Sequence, residues 1–309
     1  HRGRRPGLRV AAGLTMAGVL IVNPRASGVS PPVVAQVRAA LPADVEVVET
    51  AGPGDATLLV RRYEAQADAI YVLSGDGTYN EVVNGVTGDV PLGFLPAGGT
   101  SVLPRALGLG RDPVAAARLV AAGRRRPLGL GRVDGRRFTF SAGIGLDAEL
   151  VRRIDRRGRR DDGRRPGDLA FAREAVGLLV ERRCRFPDAL TVEGAGRAAF
   201  ALVANCEPYT YVGRVGLRVA PAASFDRGLT VVAPSDVRAR DLPGLALAAV
   251  RGARPRPGML VLGDEVRIVV RCDQPMPLQA DGEDLGDVEE AVFEAETAAV
   301  TALVPAVRR

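Results

Sequence analysis

The stretch Ser74-Gly75-Asp76-Gly77-Thr78-Tyr79-Asn80-Glu81 sets one carboxylate between two glycines, directly after the apolar run Ala69–Leu73. Small residues at the end of a strand let backbone amides close on a polyanion, and the helix that follows adds its positive N-terminal end. A carboxylate beside phosphates is repulsive unless a cation sits between them, and Mg²⁺ bridging triphosphate oxygens is the ordinary solution. A second acidic turn, Ala280-Asp281-Gly282-Glu283-Asp284, lies near the other end of the chain. A carboxylate in a cleft can take the proton of an alcohol as it attacks phosphorus. Asp226, in Ser224-Phe225-Asp226-Arg227-Gly228, is a third acidic candidate. Plainer readings compete with each: tight turns for Asp76 and the 280–284 stretch, a hairpin turn for Asp226, and a helix-starting capping box for Thr78 with Glu81.

Carboxylates matter here because other chemistry is scarce. The 309 residues hold one histidine, His1, and three widely spaced cysteines, Cys184, Cys206 and Cys272. Histidine-based triads and metal sites are thereby excluded, and neither a zinc cluster nor a disulfide framework is expected. A reducing, cytoplasmic setting fits. All 42 basic residues are arginine, so no lysine can clamp a phosphate. That uniformity is read as codon bias rather than function, and at a net charge of +6 no nucleic-acid partner is expected. No apolar run reaches the roughly 18 residues of a spanning helix. The opening residues resemble a basic, then apolar, leader; the reading preferred here is a natural start at Met16 with Gly18–Val22 as the first strand.

The elements that must position these groups fall into two grammars. Up to about residue 128, short apolar runs (18–22, 45–49, 69–73, 90–95) alternate with helical patterns, which predicts a parallel, doubly wound α/β sheet. The loops after these strands share one edge of such a sheet, where ligands bind. From about Phe138 the runs become short, β-branched and alternating, which predicts a β-sandwich interrupted by helices at 168–183 and 242–252. Two domains are expected, 16–128 and 129–309, with residues 123–131 as a linker and the last ten residues packing back on the first domain. Leu245 and Leu247 are expected inside the sandwich.

Taken together, the pieces Val22–Gly28, Thr50, Gly75–Gly85, Pro91–Thr100, Arg105–Leu109, Phe140–Leu150, Phe225–Leu229 and Leu278–Glu283 resemble the diacylglycerol kinase catalytic family, which includes sphingosine and bacterial lipid kinases. The resemblance implies a phosphofructokinase-like α/β domain followed by a β-sandwich, with ATP and a lipid meeting between them. It implies that Asn23, Pro24, Ser27 and Gly28 line the nucleotide with Thr50. Ser74, Gly75, Asp76, Gly77, Thr78, Asn80 and Glu81 would form the phosphate loop, joined by Gly98, Gly99 and Thr100. Glu283 matches the family's proton acceptor, with Asp281 beside it. Asp226, with backbone carbonyls near Ala223 and Gly228, matches a structural Mg²⁺ site.

Val102 and Gly129 stand where family members often carry aspartates, which puts diacylglycerol as the substrate in question. The expected activity is transfer of the ATP γ-phosphoryl group to a lipid hydroxyl, diacylglycerol- or sphingosine-like. The alternatives are a soluble-metabolite kinase of the NAD kinase type and a nucleotide- or lipid-binding homologue without catalysis. A lipid substrate implies peripheral contact with a membrane. The eight arginines between Arg152 and Arg165 could draw the chain to anionic lipids, though Asp155, Asp161 and Asp162 blunt their charge. A homodimer is left open.

Overall fold

The computed structural model describes residues 18–157, 168–213, 215–252 and 257–306. The Met16 start and most of the arginine-rich stretch, 158–165, lie outside the described residues. Among those described, no helix is long and apolar enough to cross a membrane.

The first half is the α/β arrangement its periodicity predicts. Strands β1 (Gly18–Val22), β2 (Val45–Glu49), β3 (Ile70–Ser74) and β4 (Leu92–Pro96) alternate with helices α1 (Pro31–Ala40), α2 (Asp55–Tyr63) and α3 (Asp76–Gly85). Helices α4 (Val102–Ala106) and α5 (Pro113–Ala121) follow. The four strands are parallel in the order β4-β3-β1-β2. Every residue of β1, β3 and β4 is buried, as expected of strands covered on both faces. Edge strand β2 keeps only Val45 fully inside. Asp112 starts α5 by accepting from the backbone N–H of Val114 at 2.9 Å and Ala115 at 3.2 Å, with Pro113 behind it.

Beyond residue 123 the chain is strand-rich. It runs through β5 (Arg124–Val133), β6 (Arg136–Phe138), β7 (Ser141–Ile144), α6 (Leu146–Arg156), α7 (Asp168–Glu181), β8 (Leu190–Val192), β9 (Gly196–Ala198) and β10 (Ala201–Ala204). The hairpin β11 (Thr210–Val212) and β12 (Val215–Leu217) follows, then β13 (Leu229–Pro234), α8 (Leu242–Arg251), β14 (Met259–Glu265), β15 (Arg267–Ala280) and β16 (Glu283–Val304).

Strand β16 joins the halves. Its first part pairs with β15 from Glu283 to Glu294, its second part with β5, and Ala302 pairs in parallel with Leu92 of β4. The strand-rich half is therefore hydrogen-bonded into the same 14-stranded sheet as the parallel half. The stretch 123–131 is strand β5 and not a linker. Its Pro127 and glycines mimic a connector, but Pro127 lies opposite Thr301 on a strand whose other side is open there, where a missing N–H costs no ladder bond. The two largest cores lie one around β1, β3 and β4, also taking in Val300 and Ala302–Val304, the other around Phe138 and Phe293, whose rings meet edge-on at 6.5 Å. Leu245 packs inward beside Phe186 and Phe200, but Leu247 is 44% exposed, contrary to expectation.

Candidate active site

The loops after β1, β3 and β4 meet backbone on backbone, and their glycines make this possible. A Cβ on Gly98 would lie 2.6 Å from the Cα of Gly75, and one on Gly28 would lie 2.9 Å from the carbonyl oxygen of Ala97. The Gly28 N–H donates to that carbonyl at 2.8 Å. Thr50, buried after β2, is tied to the same edge by its N–H on the Val22 carbonyl at 2.9 Å. Asn23, Thr50, Gly28, the 74–81 loop and Gly98 are thus brought to one edge, as the strand order requires. Pro24, Ser27 and Gly99 are exposed there, with Thr100 half-buried.

Most polar side chains of the 74–81 loop point into the scaffold. Helix α3 begins at Asp76, with Gly75 as its cap, so the expected Thr78–Glu81 capping box does not form. Thr78 accepts from Ser74 Oγ at 2.8 Å and from Asn23 Nδ2 at 3.1 Å. Glu81 instead receives the Ala56 N–H at 3.3 Å and so caps the start of α2. Asn80 is buried and donates to Asp281 Oδ2 and to the Arg137 carbonyl, each at 2.9 Å. Expected as nucleotide ligands, the side chains of Ser74, Thr78, Asn80 and Glu81 serve the scaffold; the groups left facing outward are the backbone of 75–77 and Asp76.

Asp76 lies under the start of α4, where its Oδ1 accepts the Leu103 N–H at 3.3 Å. Burial raises its carboxyl to about 6, against the pull of the Val102, Leu103 and Ser101 amides, and Asp281 nearby pushes the same way.

Asp281 and Glu283, two residues apart, have opposite surroundings. Asp281 is buried with φ +49°. Its Oδ2 takes the Thr139 N–H at 2.7 Å, the Thr139 hydroxyl at 2.9 Å and Asn80, while its Oδ1 takes the N–H groups of Phe140 at 3.0 Å and Ser141 at 3.3 Å. Burial raises its carboxyl, and these donors oppose the rise. With both oxygens occupied it is an anchor, and the expected role of proton acceptor does not suit it. Glu283 is partly exposed, and its Oε2 pairs with Arg136, whose guanidinium also donates to Asn80 Oδ1 at 2.8 and 3.1 Å. Its Oε1 faces the glycine loop: a Cβ on Gly77 would come within 3.3 Å of it. The structure therefore brings Glu283 to the same opening as Asp76 and Gly77, across 200 residues of sequence.

Two contributors escaped sequence reading. Arg136 is one. The other is Asp147, a half-buried carboxylate that accepts the Tyr209 hydroxyl at 2.6 Å and Gln279 Nε2 at 2.9 Å. Burial raises its carboxyl too. Gln279 in turn accepts the Gly282 N–H at 2.9 Å, so this network braces the turn that carries Glu283. Only Gly143 leaves room for it, since a Cβ there would lie 2.4 Å from Asp147 Oδ2.

The expected cation site at Asp226 is different. Asp226 Oδ2 pairs with Arg126 at 2.7 Å, Gly228 N–H is taken by Asp264 Oδ1 at 2.7 Å, and Ala223 N–H by the Ala220 carbonyl at 2.9 Å. Among the described residues no cluster of three acidic, cysteine or histidine side chains is placed to hold a metal. A guanidinium thus meets the charge of Asp226. A cavity of about 290 Å³ lies beside this pair, lined by Leu107, Arg126, Glu207 and Phe225, away from the Asp76–Glu283 opening. Gly129 packs against the Phe225 carbonyl, 2.7 Å from where its Cβ would be, so an aspartate has no room there.

Comparisons agree with the resemblance read from the motifs. Residues 17–133 match the diacylglycerol kinase catalytic domain. A diacylglycerol kinase of Bacillus subtilis is 29% identical over 238 residues, covering 74% of this chain and 76% of that protein. The crystal structure of a diacylglycerol kinase from Bacillus anthracis superposes with a TM-score of 0.67 at 19% identity, covering 94% of this chain and 97% of that one, which is a likeness of fold.

Proposed function

We propose, for a chain whose residues 17–133 match the diacylglycerol kinase catalytic domain, that it transfers the γ-phosphoryl group of ATP to a lipid hydroxyl. The observation that carries this is the approach of Glu283 Oε1 to Gly77: an accessible carboxylate stands over the loop best suited to a triphosphate. The backbone of 75–77 and the start of α3 would receive the phosphates. Arg136 fixes one oxygen of Glu283, and the other takes the proton of the attacking hydroxyl. Asp76 would hold the Mg²⁺ that accompanies the triphosphate. Its raised carboxyl fits such a partner, and the ion's chemistry is to neutralise phosphate charge. Catalysis is then mainly positioning and charge neutralisation.

The acceptor is assigned as a lipid hydroxyl and no further, because Val102 and Gly129 replace acids that family members often carry. Incubating the protein with radiolabelled ATP, Mg²⁺ and a lipid extract tests the reading. A labelled lipid in the organic phase is expected. A labelled water-soluble product alone would point to a metabolite kinase, and no labelled product at all would remove the catalytic role.

A further inference from the structure

Helix α8 shows solvent an apolar stripe. Pro243, Ala246, Leu247 and Val250 are exposed at i, i+3, i+4 and i+7, with Leu247 and Val250 at 44% and 47%. Its opposite face is anchored, Leu242 and Leu245 packing on Phe186, Phe200 and Val237. Beside it stands the β11–β12 hairpin, where Val215 is 49% exposed and the Arg218 N–H donates to the Ala249 carbonyl. From this hairpin Tyr211 reaches the nucleotide-side half, its ring 3.1 Å from the Arg105 guanidinium at the end of α4. The stripe therefore sits on elements that touch the rim of the proposed active site.

We infer that this face of α8, continued by the tip of the β11–β12 hairpin, docks on the surface of an anionic lipid bilayer. The inference rests on the lipid-kinase reading above. Charge selects the occupant: α8 has no acidic residue, and Arg251 in its last turn and Arg218 beside it are exposed. A symmetric contact between two copies would set these arginines against each other, whereas anionic headgroups complement them at about 1 kcal/mol each. The arginine-rich stretch named from sequence is less suited where it is described. Arg152 is held by Asp284 and Asp287, Arg153 by Glu149 and Glu181, and Arg157 by Glu174.

Sedimentation with phosphatidylcholine vesicles, with and without phosphatidylglycerol, at low and high salt, tests the inference. The wild-type protein should bind the anionic vesicles, and less so at high salt. Leu247→Gln with Val250→Gln should lower that binding about tenfold through lost apolar contact, leaving the melting temperature and the phosphorylation of detergent-dispersed lipid unchanged. Val176→Gln with Val180→Gln on α7, more exposed but flanked by Glu181, should leave binding intact. Undiminished binding of the α8 variant would overturn the inference. So would loss in the α7 variant instead, equal wild-type binding to neutral vesicles, or an α8 variant that changes only the oligomeric state. The binding arms need no turnover: α8-dependent binding by a protein that phosphorylates no lipid would uphold docking and remove only the kinase reading.

Discussion

Two acidic turns face each other across the opening, Gly75-Asp76-Gly77 and Asp281-Gly282-Glu283, and they solve opposite problems. In the first, glycines allow three loops to stack backbone on backbone, and the single carboxylate lies half-buried against the amides at the start of α4. In the second, one carboxylate is buried and saturated with donors while its neighbour is partly exposed and paired with an arginine. The lesson is that the Asp-Gly pattern reports a tight turn, whereas solvation and partners decide the role. Asp281, with both oxygens occupied, holds the fold, whereas in the proposed reading Asp76 takes the cation and Glu283 the proton.

The sharpest way to break this contrast is Glu283→Gln, which keeps size and hydrogen bonding. Lipid phosphorylation should fall by about 10²–10⁴-fold, the usual contribution of a general base, with ATP binding and thermal stability retained. Near-normal turnover would return the proton acceptor to an unknown group. Next in size is Asp281→Asn, which replaces an acceptor of five donors. Denaturant unfolding should show a loss of about 1–3 kcal/mol. Whatever folded protein remains should keep its pH–rate profile, and a profile displaced along with the loss of stability would make Asp281 chemical after all.

The smallest effect is on stability against pH. The folded Asp76 holds its proton up to about 6, against an ordinary value of 3.8, so the folded state binds the proton more tightly than the unfolded chain. The stability this group contributes is therefore fully present below about pH 4 and is lost as pH rises through 6. Asp147 and Asp281, also raised, contribute slopes of the same sign. Asp76→Asn should flatten the decline and make the protein more stable at pH 7 while abolishing turnover. An unchanged slope between pH 4 and 6 would mean that a cation or donor already satisfies Asp76.

Much of this was legible beforehand. Short apolar runs alternating with helical patterns announced the parallel sheet, and strand ends placed Asp76, Asn23 and Gly28 at one edge. The acidic turn 280–284 was legible too, since acids were the only bases available, but Glu283 itself was singled out only by the family resemblance. What escaped depends on contacts between distant positions. Arg136 is an ordinary strand residue until folding sets it against Glu283, 147 positions on. Asp147 looks like any acid in the first turn of a helix until Tyr209 and Gln279 enclose it. Glu81 fits a local capping box, but a tertiary partner 25 positions earlier claims it. Strand β5 carries Pro127 and glycines that locally spell a linker, and only its pairing with β16 makes it a strand.

Strand β16 also dictates an order of events during synthesis. The open side of β4 at Leu92 is covered only when Ala302 pairs with it, and Leu303 and Val304 then complete that core. At roughly 5–20 residues per second, the parallel sheet waits on the order of 10–40 s on the ribosome with an apolar edge bare. The half of the molecule made first therefore depends on the end of the chain to close its sheet.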